Sequence, residues 1–178
     1  MHCWELLHSC GRLTLAAQRP QSTVDKYATW KAETSAVYDC LGSGVLCEKL
    51  GYHAVPDRVS NKYVARRPPS PSKEHVKAAA SPALGVPYAI EVDGTECLVA
   101  VHPNTFPYNV ADDVEHNVLW SERRLPADVV EEQLGGLLGA TPFLWYENAE
   151  ALKSLPMVFH VHVFSKVVRG GQTAKDAS

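Results

Sequence analysis

Residues 88–101 read Tyr88-Ala89-Ile90-Glu91-Val92-Asp93-Gly94-Thr95-Glu96-Cys97-Leu98-Val99-Ala100-Val101. Two strand-like runs flank Asp93-Gly94, a dipeptide suited to a two-residue hairpin turn. The stretch therefore predicts antiparallel pairing of 88–92 with 95–101. Downstream, the Pro- and Asn-rich run His102-Pro103-Asn104-Thr105-Phe106-Pro107-Tyr108-Asn109 reads as a loop, and Val114–Trp120 as a third strand. Pro126–Leu138 is helical, with Pro126 near its first position and Val129, Val130, Leu134, Leu137 and Leu138 on an apolar face. Phe143–Tyr146 reads as a short strand, and Met157–Val168, rich in Val and Phe, as the last. The expectation is an α+β fold: an antiparallel sheet of about five strands, with a helical N-terminal third packed on it or at its edge.

Upstream, Val24, Tyr27 and Ala28, then Val37, Tyr38 and Leu41, recur at helical spacing. Ser22 and Asp25 resemble a capping box, Gly42 and Gly44 suggest a break, and Gly51 is placed to end the helix that follows. The chain thus divides into a helical segment (1–55), a Pro-rich linker (56–87), the strand-rich core (88–168) and a frayed polar tail (169–178). Within the linker, Arg66-Arg67-Pro68-Pro69-Ser70-Pro71-Ser72-Lys73 reads as an exposed loop, or as a docking segment for a protein partner.

Composition narrows the function classes. The chain has 178 residues, 46% of them apolar and 21% charged, as in ordinary globular proteins. A net charge of −3 argues against a nucleic-acid partner. No apolar run approaches the roughly 20 residues that span a bilayer, so no membrane role is expected. Five cysteines without a CxxC pair read as reduced thiols, hence a cytoplasmic location. Residues 1–20 carry Arg12 and Arg19 against Glu5 alone, which leaves a mitochondrial address open, although Trp4 and its leucines read as a packed helix.

The densest chemical signal is Phe159-His160-Val161-His162-Val163-Phe164. Strand alternation puts His160 and His162 on one face, about 7 Å apart, with the valines on the other. Two imidazoles so placed suit acid–base and nucleophilic work on phosphate, or metal ligation. Taken alone, the pair is equally a polar strand face. Other residues weigh less. His102 reads as a site-mouth or solvated loop residue, Asn148 as a hydroxyl binder or turn residue, and Trp120 and Trp145 as stacking platforms or core.

Taken in order, Asn104-x-Phe106-Pro107-Tyr108, the His116 strand, one helix, Asn148, Ser154 and His160-x-His162 resemble the histidine-triad superfamily over residues 88–168. His162 precedes Val163-Phe164-Ser165-Lys166, which resembles the family's ending. That register implies His160 as nucleophile and places Val158 where the family has its first histidine. Over residues 4–168 a longer set is similar to the N-acetylglucosamine-induced protein family, a mainly fungal group of largely unknown function. Its motifs here are Cys10-Gly11-Arg12-Leu13, Gln18-Arg19, Tyr27-Ala28-x-Trp30-Lys31, His116-Asn117-Val118-Leu119-Trp120, Trp145-x-x-Asn148 and Ser154-Leu155-Pro156.

The triad resemblance implies a hydrolase or transferase for a phosphate ester, nucleotide or nucleotide sugar. His160 would attack phosphorus, His162 and His116 would position oxygens or handle protons, and Asn104, Asn148 and Ser154 would hold a small phosphorylated ligand. No cofactor is needed. Two alternatives stand beside it: a non-catalytic ligand-sensing or structural subunit, favoured by Val158, and a metal site built from His116, His160 and His162.

Overall fold

A computed structural model describes residues 19–69 and 83–167. Expectations for residues 1–18, 70–82 and 168–178, including the second half of the proline-rich run and the tail, lie outside the described residues.

The first helix, α1, spans Gln21–Val37. Pro20 is its N-cap with no side-chain cap, so the expected Ser22 capping box does not form; Asp25 instead accepts a hydrogen bond from Gln21 Nε2 at 2.8 Å. The chain turns at Tyr38–Cys40, and α2 (Leu41–Leu50) begins with the Cys40 thiol accepting from the Ser43 N–H. The expected break at Gly42 and Gly44 is therefore displaced a few residues toward the N-terminus, and both glycines lie inside α2. Their use is steric: a Cβ on Gly44 would collide with Thr34 Cγ2, so only glycine lets α1 cross α2 this closely. Gly51, at φ 70°, ends α2 in the left-handed conformation expected of it.

Residues 53–66, read partly as linker, are instead a hairpin of β1 (His53–Asp57) and β2 (Lys62–Arg66). Arg58-Val59-Ser60-Asn61 is its turn, closed by Asp57 accepting from Ser60 and by Asn61 at φ 57°. Beyond the hairpin, the described linker residues 67–69 and 83–87 lie outside helix and strand. Arg67, just after β2, pairs with Glu96 and Glu122, while Tyr52, just before β1, donates to the same Glu122. Glu122 thus ties both ends of the hairpin to the main sheet.

That sheet has five strands in the order β3-β4-β5-β7-β6, every neighbour antiparallel. The strands are β3 (Tyr88–Val92), β4 (Thr95–Pro103), β5 (Val114–Ser121), β6 (Phe143–Tyr146) and β7 (Phe159–Lys166). Asp93 and Gly94 both take positive φ, the two-residue turn predicted for the first hairpin. Helix α3 (Ala127–Leu138) lies between β5 and β6 in the chain and covers one face, where Val130 and Leu134 pack on Val99, Val101, Leu119, Val161 and Val163. The other face carries His116, Trp120, His160 and His162. It packs against α1 and α2 through Val45, Leu155, Val158, Trp30 and Trp120. The fold is α+β as expected. Among the described residues, no helix is long and apolar enough to cross a membrane.

Candidate functional site

Antiparallel register builds the site. Trp120 pairs with His160 and Val118 with His162 across β5 and β7, while Tyr146 of β6 pairs with His162 from the other side. Paired residues share a face, so a period-2 strand must bring His116, His160 and His162 to one surface. All three are nearly buried, at 7%, 6% and 4% exposure. Beside them opens a cleft with about 100 Å³ of free volume. That is several times the roughly 10–15 Å³ one water needs. Its floor includes His160 and His162, and Asn104, Asn148 and Ser154 lie in its walls.

His116 and His162 form a directional pair. The Tyr108 backbone N–H donates to His116 Nδ1 at 3.1 Å. A backbone N–H cannot accept, so Nδ1 holds a lone pair and Nε2 carries the hydrogen. Nε2 then donates to His162 Nδ1 at 2.9 Å, which leaves the second hydrogen of the pair on His162 Nε2. Asn148 Nδ2 lies 3.0 Å from that atom, and the amide turned over by 180° would present its oxygen to accept the hydrogen. Asn104 Oδ1 accepts from the Phe106 N–H, and its Nδ2 lies 3.0 and 3.4 Å from the His116 ring nitrogens. A second proton on His116 would set N–H against N–H. Burial pushes the His116 pKa down to about 3 and that of His162 to about 4; each also has a histidine neighbour and feels Arg19.

His160 is held differently. Its Nδ1–H donates to the Val158 carbonyl at 2.9 Å. Its ring stacks on Trp120 at a centroid distance of 5.0 Å. A carbonyl only accepts, so the tautomer is fixed and, among the described residues, the Nε2 lone pair has no hydrogen-bond partner, in a ring that lines the cleft. Burial lowers its pKa, so the ring is neutral near pH 7.

Several expected residues lie elsewhere. His102 is not in the cleft wall; its ring contacts the Lys49 carbonyl at 3.0 Å, closing the C-terminal end of α2. Trp145 packs in the α3-side core. The His162 Nδ1 lone pair is taken by His116, and among the described residues no three His, Cys, Asp or Glu side chains form a group that could hold a metal ion.

The wall also holds residues given no role from the sequence. Arg19 stands over Tyr27 and Tyr108, at 5.3 and 4.9 Å from the ring centroids, and its Nε donates to the Phe106 carbonyl at 3.0 Å. Trp30 stacks on Tyr27, and both pack on Phe106. The Tyr27/Trp30 spacing of three residues, one helix face, was the available signal. It pointed to an apolar stripe, not to the partner beneath it.

Comparison with known proteins fits this picture at the level of fold and family. The protein named "Uncharacterized protein YPL067C" of Saccharomyces cerevisiae is 31% identical over 93 residues, covering 42% of this chain and 47% of its own. The chain thus spans about half the length of that curated relative. A solved structure described as "Crystal Structure of HTC1" aligns with a TM-score of 0.51 over 96% of this chain and 85% of its own, at 24% identity, a likeness of fold alone. The family model described as "Protein of unknown function (DUF3605)" matches residues 9–138, a span that includes Asn104 and His116 and stops before the β7 histidines. The chain belongs to the DUF3605 family of proteins of unknown function.

Proposed function

We propose that this protein is a hydrolase or transferase for a small phosphorylated compound, acting through His160 in the manner of the histidine-triad superfamily. One observation carries the reading: Val158 holds His160 Nδ1–H by its main-chain carbonyl, leaving Nε2 as a neutral, directed nucleophile at a cleft. In the reaction, Nε2 would bond to phosphorus as the bond from phosphorus to the leaving oxygen breaks. The leaving group would take a proton from water if its oxygen is basic. Water would then attack the phosphohistidine, releasing phosphate and a proton and restoring neutral His160; an acceptor hydroxyl in its place gives transfer. The imidazolium of the intermediate keeps its Nδ1–H, and the Val158 carbonyl stabilises that positive charge.

This also answers the departure at Val158. The group that orients His160 belongs to the backbone, so a valine supplies it. The second reading, a ligand-binding subunit without turnover, still draws on the lost histidine side chain at that position. A phosphoester panel of sugar phosphates, nucleotide sugars and nucleotides separates the two. Catalysis predicts turnover of at least one compound, lost in His160→Ala. Binding without catalysis predicts ligand-induced thermal shifts in both proteins and turnover in neither. The proposal also includes a cytoplasmic location and, from the resemblance to the N-acetylglucosamine-induced protein family, a link to amino-sugar metabolism.

A further inference from the structure

Arg19 is the cation of this site that the proposed chemistry leaves unused. Its Nε–H is spent on the Phe106 carbonyl, and its plane is steadied by Tyr27 and Tyr108. Among the described residues, its two terminal nitrogens have no carboxylate or other hydrogen-bond partner. The other cations nearby are compensated: Lys49 pairs with Glu48, and Lys153 with Glu147 and Glu150. A guanidinium held by aromatic rings and one carbonyl, in a cleft wall, presents a rigid fork for an oxyanion.

Its position differs from that of His160. Tyr108, over which Arg19 stands, stacks on His116 at 4.9 Å and lies 5.3 Å from His162. His160 stacks instead on Trp120, and its ring centre is 6.1 Å from that of His162. The charged groups acting on His160 are Lys153 and Glu147, whereas Arg19 acts on His116 and His162. The cleft therefore has a nucleophile end and a cation end, with His162 between them.

We infer that the ligand carries two anionic groups: a phosphoryl group presented to His160 and a second oxyanion, carboxylate or phosphate, held by the Arg19 fork. The inference rests on the proposed phosphoryl chemistry for the first group, but Arg19 would select a second anion whether or not His160 turns over.

The experiment is calorimetric binding of non-hydrolysable probes. Alkylphosphonates with two to five carbons are compared with ω-phosphonocarboxylates of matching length, from phosphonoacetate to 5-phosphonopentanoate, and with 1,3-propanediphosphonate. At the best length, the second anion should improve affinity about tenfold or more in the wild type and equally in His160→Ala. Arg19→Gln should lose that gain, while its circular dichroism and thermal unfolding match the wild type and show that the variant is folded. Arg19→Lys should keep part of the gain, because it retains charge without the planar fork. A preference for carboxylate or for phosphonate would name the second group. Equal affinity for one-anion and two-anion probes at every length, or a gain that survives in Arg19→Gln, would overturn the inference. Absence of a phosphohistidine on His160 would defeat the proposed catalysis and leave this result standing.

Discussion

Three histidines from two neighbouring strands share one sheet face, yet their hydrogen bonds give them different work. His116 and His162 spend their facing nitrogens on each other, while His160 keeps Nε2 for the cleft. The roles predict different losses. His160→Ala should abolish turnover, because among the described lining residues no other imidazole keeps a free lone pair for the cleft. His162→Ala should leave measurable activity, reduced by about 10²- to 10⁴-fold, the usual range for a group that positions or shuttles a proton. Steady-state kcat for the two variants checks this. Equal loss in both would mean that the two histidines act as one unit or that their roles are exchanged. Strand alternation alone placed His160 and His162 together. It could not place His116, 44 residues before His160 in the chain; the triad resemblance implied that residue, and the β5–β7 register brings it to the same face.

Elements bring these residues together, and some of them were easier to read than others. The β3–β4 hairpin and α3 were legible because turn chemistry and apolar spacing are local. The β1–β2 hairpin was not: Pro56 and the turn Arg58–Asn61 hid two short, half-exposed strands whose anchorage, through Tyr52 and Arg67 to Glu122, is distant in sequence. Helix α1 was legible as a helix, but its role as a cleft wall was not, because almost all of it is exposed and only Thr34 is buried. That buried contact makes a testable pivot. Gly44→Ala should drive α1 away from α2, costing about 1–3 kcal/mol in chemical denaturation, as overpacking usually does. Thr34→Ser removes the colliding Cγ2 and should recover much of the loss in the double variant. Additive losses in the pair would place the strain somewhere other than this contact. Because α1 also carries Tyr27 and Trp30, Gly44→Ala should weaken ligand binding as well.

A chain that buries neutral histidines should be sensitive to acid. Their folded pKa values lie below the ordinary unfolded value of about 6.5, so between the two the unfolded chain binds protons that the native protein does not. Stability is therefore full above about pH 6.5 and falls as pH drops toward 4, by up to about 1.4 kcal/mol per pH unit for each such histidine. Glu122 adds a loss in the same direction at lower pH. Hydrogen bonds from Arg67, Tyr52 and the Leu98 N–H outweigh the opposing effect of burial and hold its carboxyl below the usual range, so its contribution is present above about pH 4.3 and is lost as pH falls through the depressed value. Urea midpoints at pH 7.5, 6 and 5 should decline in order, and less steeply in His116→Asn. A flat profile would mean that the histidines take up protons equally in the native and unfolded chains, so that burial does not hold them neutral. The proposed chemistry is most exposed to one observation, the fate of phosphorus on the protein. The protein is mixed with a compound it turns over, quenched in alkali, where phosphohistidine survives, and mapped by peptide mass spectrometry. A phosphoryl group or larger phosphate-linked adduct on His160, absent from His160→Ala, is the predicted result. An adduct on His162, or turnover with no adduct on any histidine, would contradict the account.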